Sequence, residues 1–330
     1  MAWQEPTLVD VLEARQRIAR HLPRTPLYGY AALSELLAAD VFVKHENHQP
    51  VGAFKVRGGV NLVSQLGPEE RERGVVAAST GNHGQSIAYA ARLFGVEATI
   101  CVPERANPVK VSAMLGLGAE VVFHGRDFDE AREHSEQLAR ERGARYVHSG
   151  NEPLLIAGVA TETLEILEEQ PETDVIIVPV GGGSGAAGAC VVVEAVNPRI
   201  RVIGVQSDAA PAAYRSWREG RLVEDRMETF AEGLATRTAF ELPQEILRRS
   251  LADFVLVSDD EIRVAQALMI ETTRNLVEAA GAAPLAAALK LRDQLAGKRV
   301  SLILSGGNAS REQLLDVLAA AAVDGPRPGV

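Results

Sequence analysis

Residues 174–180, Asp-Val-Ile-Ile-Val-Pro-Val, carry apolar and mostly β-branched side chains at nearly every position, and Gly181, Gly182, Gly183, Ser184 and Gly185 follow at once. A strand with one wet face alternates apolar and polar residues, whereas a strand that is apolar throughout is covered on both faces. Helices packed on either side of a parallel sheet provide that cover, so this run predicts an α/β fold. The rest of the chain keeps the matching rhythm. Strand-like runs at 41–44, 75–79, 98–102, 120–124, 145–148, 201–206, 253–257 and 299–304 alternate with amphipathic segments, among them 82–94, 107–117, 127–142, 153–169 and 186–196. Such alternation predicts right-handed crossovers and parallel sheets. Thr7 and Asp10 have the spacing of a capping box, so residues 8–22 read as an opening helix that ends at Pro23.

A chain of 330 residues with 46% hydrophobic content has room for two domains or one elaborated α/β unit. Its formal net charge of −10, with no Lys/Arg stripe, argues against nucleic acid or an anionic membrane surface as the main partner. No apolar run approaches the roughly 20 residues of a membrane span, and residues 1–6 lack a basic segment followed by an apolar core. The expectation is a cytoplasmic protein. Cys101 and Cys190 both lie in apolar runs and read as buried thiols, and no His/Cys spacing suits zinc, so no metal is expected. Only residues 324–330, rich in Gly and Pro, read as a disordered end.

In parallel α/β sheets, ligands bind where strands end. Four stretches stand out against that frame. Lys55 follows the strand-like run 41–44 and a polar turn, with Gly52 and Ala53 removing bulk before it and Phe54 supplying an aromatic face; Gly58 and Gly59 let the backbone approach something closely. A lysine amine becomes a nucleophile toward carbonyls when partial burial lowers its pKa, which makes Lys55 the candidate reactive amine. Residues 181–185 join the buried strand to a helix, and backbone amides at a helix N-terminus form an anion cradle, here with the Ser184 hydroxyl added. A phosphate group is the natural guest. The same turn also reads as Gly181-x-Gly183-x-x-Ala186 with Asp208 placed for a ribose, so a nicotinamide dinucleotide stays open as the alternative cofactor. Residues 79–84, Ser-Thr-Gly-Asn-His-Gly, offer hydroxyls and amides to one small anion such as an amino-acid carboxylate, and Ser305-Gly306-Gly307-Asn308 ends the last strand.

Together these stretches resemble the serine/threonine dehydratase and serine racemase family. Residues 53–58, Ala-Phe-Lys-Val-Arg-Gly, match its S-F-K-x-R-G motif with Ala53 in the serine position, and residues 79–84 match its S-x-G-N-H-G/A loop. The resemblance runs in order from about residue 8 to residue 310. It implies fold type II, as in tryptophan synthase β: two three-layer α/β domains with parallel sheets. Residues 1–73 and 152–330 would form the large cofactor-binding domain and residues 74–151 a small inserted one, with the active site in the cleft between them. It further implies pyridoxal 5′-phosphate as cofactor. Lys55 would hold it as a Schiff base and then act as general base, Phe54 would flank its ring, and Asn82 would bond its 3′-oxygen. The phosphate would rest on Gly181, Gly182, Gly183, Ser184 and Gly185, with Ser305 at the ring nitrogen and Glu278 nearby. Ser79, Thr80, Gly81, Asn82 and His83 would hold the substrate carboxylate.

The implied reaction is β-elimination from a 3-hydroxy amino acid of the L-threonine/L-serine type, giving a 2-oxo acid and ammonia, with the cofactor phosphate as proton donor to the leaving hydroxyl. A racemase, or a lyase for hydroxyaspartate or phenylserine on the same scaffold, remains the alternative. Thr80 stands where racemases place a serine on the face opposite the lysine, and its hydroxyl keeps that role open. Gln206 and Ala212 stand where metal-binding members have Glu and Asp, which removes two hard oxygen ligands. The expected partner is a small amino acid, and the expected assembly is a homodimer.

Overall fold

The computed structural model describes residues 4–324. Residues 325–330, which fall within the expected disordered end, lie outside the described residues. Among the described residues the strands are β1 (Leu27–Gly29), β2 (Asp40–His45), β3 (Val75–Ala78), β4 (Ala98–Val102), β5 (Glu120–Phe123), β6 (Arg145–Tyr146), β7 (Val175–Pro179), β8 (Arg201–Ser207), β9 (Asp253–Val257) and β10 (Arg299–Leu304). They form two sheets in two compact units. One unit holds the described residues of Met1–Pro23 and Gln49–Thr161, the other those of Arg24–His48 and Glu162–Val330.

The first unit carries a four-stranded sheet in the order β5-β4-β3-β6, parallel throughout. Every residue of β3 and β4 is buried, as strands covered on both faces must be. The sheet lies within residues 74–151, and its compact unit also takes in the opening helix Leu8–Ile18 and the helix Lys55–Val63. That second helix is tightly gripped. A Cβ on Gly59 would lie 2.3 Å from Ser86 Oγ and 2.7 Å from the Ser86 carbonyl oxygen, and one on Gly58 would lie 2.9 Å from the Leu155 carbonyl oxygen. The close approach expected at Gly58 and Gly59 is therefore made by neighbouring helices, and it fixes where Lys55 is presented.

The second unit carries a six-stranded sheet in the order β1-β2-β10-β7-β8-β9. Its strands run parallel except β1, which pairs antiparallel with β2 through Tyr28 and Val43. The Val/Ile run at 174–180 supplies β7, which sits between β10 and β8 and is buried at its first four positions. The core is built from Val175 and Ile177 together with Val41, Val43, Ile203, Val300 and Leu302, against the alanine-rich helix Ala279–Lys290. Lys44, fully buried in β2, is held by Glu165 at 2.7 Å and the Thr25 carbonyl at 2.7 Å. A buried ammonium needs such partners, because its desolvation is otherwise costly.

Candidate active site

In the first unit, Lys55 opens its helix, half-buried, with Nζ 5.1 Å from the centroid of the Phe54 ring. Ser86 Oγ donates to the Lys55 carbonyl oxygen at 2.6 Å and so ties this first turn to the helix Asn82–Phe94. The 79–84 loop, which enters that second helix, is wound around one oxygen: Ser79 Oγ accepts from the amides of Gly81 at 2.9 Å and Gly84 at 2.8 Å. Ser79 thereby shapes the loop. Gly81, His83 and Gly84 are buried, whereas Thr80 and Asn82 are the loop's half-exposed side chains.

His83 lies 3.4 Å from the Val147 carbonyl oxygen, and its pKa is pushed down to about 3, by burial first and then by the charge of Lys55. His148 is pushed down to about 4 by burial, followed by the charges of Arg132 and Lys55. Its Nδ1 accepts from the amides of Gly150 at 3.0 Å and Asn151 at 2.9 Å, so Nδ1 is unprotonated and the ring proton sits on Nε2. The charge of Lys55 acts on both His83 and His148. His148 is an addition that the sequence reading did not single out. Its signal was a histidine directly before the Ser149-Gly150 turn, whose amides need an acceptor.

In the second unit, β7 leads through Gly181 and Gly182 to Gly183, which caps the helix Ser184–Val196 at φ 91°, a left-handed conformation that suits glycine. Helix geometry leaves the first amides after that cap without intrahelical acceptors, at the positive end of the dipole. With the buried Ser184 hydroxyl they form a donor set that suits a phosphate dianion. The loop is backed closely by its own unit. A Cβ on Gly181 would lie 2.2 Å from the Gly233 carbonyl oxygen, and one on Gly182 would lie 2.3 Å from the Phe240 ring. Gly181→Ala must therefore move the loop against backbone, and we expect a cost of about 1–3 kcal/mol in stability with a clear loss of cofactor affinity, read by thermal melts and by cofactor titration. Unchanged affinity would separate this loop from the cofactor.

Ser305 follows β10, the neighbour of β7, so it and the glycine turn share the carboxyl edge of one sheet. Glu278 is 7% exposed at the N-cap of the helix Ala279–Lys290, and its side chain makes no capping bond. Its amide donates to the Gly306 carbonyl oxygen at 3.1 Å, and a Cβ on Gly281 would lie 2.8 Å from the same oxygen. The start of this helix is thus held by backbone contact against Gly306, the residue after Ser305. Gln206 Oε1 accepts from the Tyr214 amide at 3.0 Å, and Ala212 opens the helix Ala212–Glu219. Among the described residues, no group of three His, Cys, Asp or Glu side chains is arranged to hold a metal ion, and no helix is long and apolar enough to cross a membrane.

The family described as pyridoxal-phosphate dependent enzyme matches residues 18–306. The chain belongs to that family. Among its members, an L-threonine ammonia-lyase of Thermotoga maritima is 40% identical over 305 residues, covering 92% of this chain and 75% of the relative. An L-threo-3-hydroxyaspartate ammonia-lyase of Saccharomyces cerevisiae is 36% identical over 322 residues, covering 97% of this chain and 98% of the relative. The solved structure of a serine racemase from Dictyostelium discoideum superposes with a TM-score of 0.87 at 34% identity, covering 92% of this chain and 99% of that one. This is a fold-type II pyridoxal-phosphate dependent enzyme. The residues present fit the cofactor: a lysine at the start of a helix offers an amine to an aldehyde, and a glycine turn at another helix start offers amides to a phosphate.

Proposed function

We propose that this chain is a pyridoxal phosphate-dependent ammonia-lyase that removes water and then ammonia from a 3-hydroxy amino acid of the L-threonine/L-serine type, leaving a 2-oxo acid. Relatives named for that activity support the reading. The observation that carries it is the bond from Ser86 Oγ to the Lys55 carbonyl oxygen at 2.6 Å, which sets Lys55 against the helix that the 79–84 loop enters. An amine able to take an α-proton thereby lies beside amides and hydroxyls able to hold an amino-acid carboxylate.

Pyridoxal phosphate, when bound, supplies the electron sink that makes the α-proton of an amino acid removable. Gly181, Gly182, Gly183, Ser184 and Gly185 would hold the phosphate, Phe54 would flank the ring, Asn82 would bond its oxygen, and Glu278 would lie near it. Ser305 would bond the ring nitrogen. A hydroxyl there, unlike a carboxylate, does not stabilise a protonated ring nitrogen, which favours elimination over transamination. Ser79, Thr80, Gly81, Asn82 and His83 orient the carboxylate. Lys55 Nζ would anchor the cofactor and, as a free amine, would take the α-proton. The β-hydroxyl leaves as water with one proton, equal in number to the α-proton that Lys55 takes, so the elimination is proton-neutral overall; the released enamine tautomerises and hydrolyses in solvent to 2-oxo acid and ammonia. The Thr80 hydroxyl would serve racemisation on the opposite face, the minor reading. The same proposal includes a cytoplasmic homodimer, with residues 74–151 as a small domain inserted between residues 1–73 and 152–330.

Purified protein should show an absorbance band near about 410 nm, the signature of a lysine-bound cofactor. Borohydride should abolish the band and leave the cofactor mass on the Lys55 peptide. A panel of threonine, serine, threo-3-hydroxyaspartate and phenylserine, followed by 2-oxo acid release, then ranks substrates. Absence of the band after incubation with pyridoxal phosphate sinks the reading.

A further inference from the structure

The helix Pro108–Gly116 is oriented against expectation. Val109 is 59% exposed and Leu115 is 54% exposed, yet Lys110 between them is only 6% exposed. Burial of apolar area would turn the valine and leucine inward and leave the lysine in water. What Lys110 reaches is the 79–84 loop. A Cβ on Gly81 would lie 2.8 Å from its Cδ and 3.1 Å from its Nζ, so the end of the lysine is laid directly on the loop's backbone. A side chain at position 81 would have to push the lysine end aside.

An anion site draws its strength from nearby positive charge as well as from oriented amides. His83, the loop's own titratable residue, does not supply that charge, because it is buried and neutral at working pH. We infer that Lys110 provides the positive charge of the 79–84 loop and pairs electrostatically with the carboxylate of the substrate held there. Sequence gives no hint of this, since a lysine inside a helix is ordinarily solvated. The identity of the ligand rests on the ammonia-lyase reading, and the placement of the charge does not.

The test compares an amino acid with its uncharged counterpart. Glycine and glycinamide, titrated into the holoenzyme and followed through the cofactor band, differ by the carboxylate alone. Lys110→Gln should weaken glycine by about 10- to 100-fold, the range for losing a charge-assisted contact, and leave glycinamide within about twofold. Lys110→Arg should retain the preference for glycine. Equal losses for both ligands would show that Lys110 only supports the loop, and no loss for either would remove it from the site; both results overturn the inference. Should Lys110→Gln fail to fold, Lys110→Met, which keeps the long aliphatic stem and removes the charge, takes its place, and the same selective loss is expected. A wild-type protein without a cofactor band would fail the ammonia-lyase reading by itself. Amide NMR shifts of Gly81 and Gly84 on adding glycine would then decide Lys110: carboxylate-specific shifts that vanish in Lys110→Gln support it, and shifts that persist overturn it.

Discussion

Lys55→Ala is expected to lower 2-oxo acid release by about 10³-fold or more, since it removes both the covalent anchor and the general base. The fold should be kept. Lys55 is the first residue of its helix and half-buried, and alanine is at least as good a helix former there. The contact that ties this turn in place, from Ser86 Oγ to the Lys55 carbonyl, uses backbone and survives the change. A separate signature distinguishes loss of this amine from general damage. Lys55 is the second cause of the depressed His83 pKa and the third for His148, so removing its charge should let both histidines protonate at higher pH, readable from their imidazole NMR signals. A small exogenous amine should restore part of the turnover. Full activity in Lys55→Ala, or histidine titrations that do not move, would take Lys55 out of the site.

Much of this architecture was legible because it rests on local rules. The capping box of Thr7 and Asp10 is present, with the Thr7 amide donating to Asp10 Oδ2 at 2.7 Å, although the helix ends at Ile18, short of Pro23. The runs at 98–102, 253–257 and 299–304 became β4, β9 and β10 without adjustment; β4 and β10 show the apolar run of a buried parallel strand, and β9 keeps it at a partly covered sheet edge. β1 was not legible, because three residues on an exposed edge carry no period and antiparallel pairing with β2 leaves no mark in composition. The site divides along the same line. Lys55, the 79–84 loop, the glycine turn and Ser305 announced themselves by motif and by position after strands. His148 and Lys110 did not, because each matters only through partners far away in sequence: Lys55 for the first, Gly81 for the second. Glu278 shows the limit from the other side. Its sequence suits a solvated helix cap, yet it is 7% exposed.

Stability should fall steeply as the pH drops from about 6.5 toward 4, before carboxylate chemistry dominates. His45 is pushed down to about 4, His83 to about 3 and His148 to about 4, with burial the first cause in each case. An unfolded chain takes up protons at these positions near the ordinary value of about 6.5, while the native state keeps them neutral. The unfolded state therefore binds more protons throughout that window, and each histidine's stabilisation, fully present above it, is lost on the order of 2–3 kcal/mol as pH falls toward the native values. Glu152 acts in the opposite sense: burial raises its carboxyl despite its ion pair with Arg145, so the native state takes up that proton early and offsets part of the loss. The carboxylates held below their ordinary range, such as Asp10 and Glu120, lose their stabilisation only further down. Urea midpoints at pH 7.5 and pH 5 measure the net effect, several kcal/mol lower at the acid value. His45 gives the clean control. It belongs to the second compact unit, is fully buried, and its Nε2 pairs with the Tyr30 hydroxyl at 2.8 Å. His45→Phe should flatten the pH slope by about one histidine's share and leave the titrations of His83 and His148 in place. Equal urea midpoints at the two pH values would mean that these histidines are charged in the native state, and with them would go the neutral imidazoles that surround Lys55.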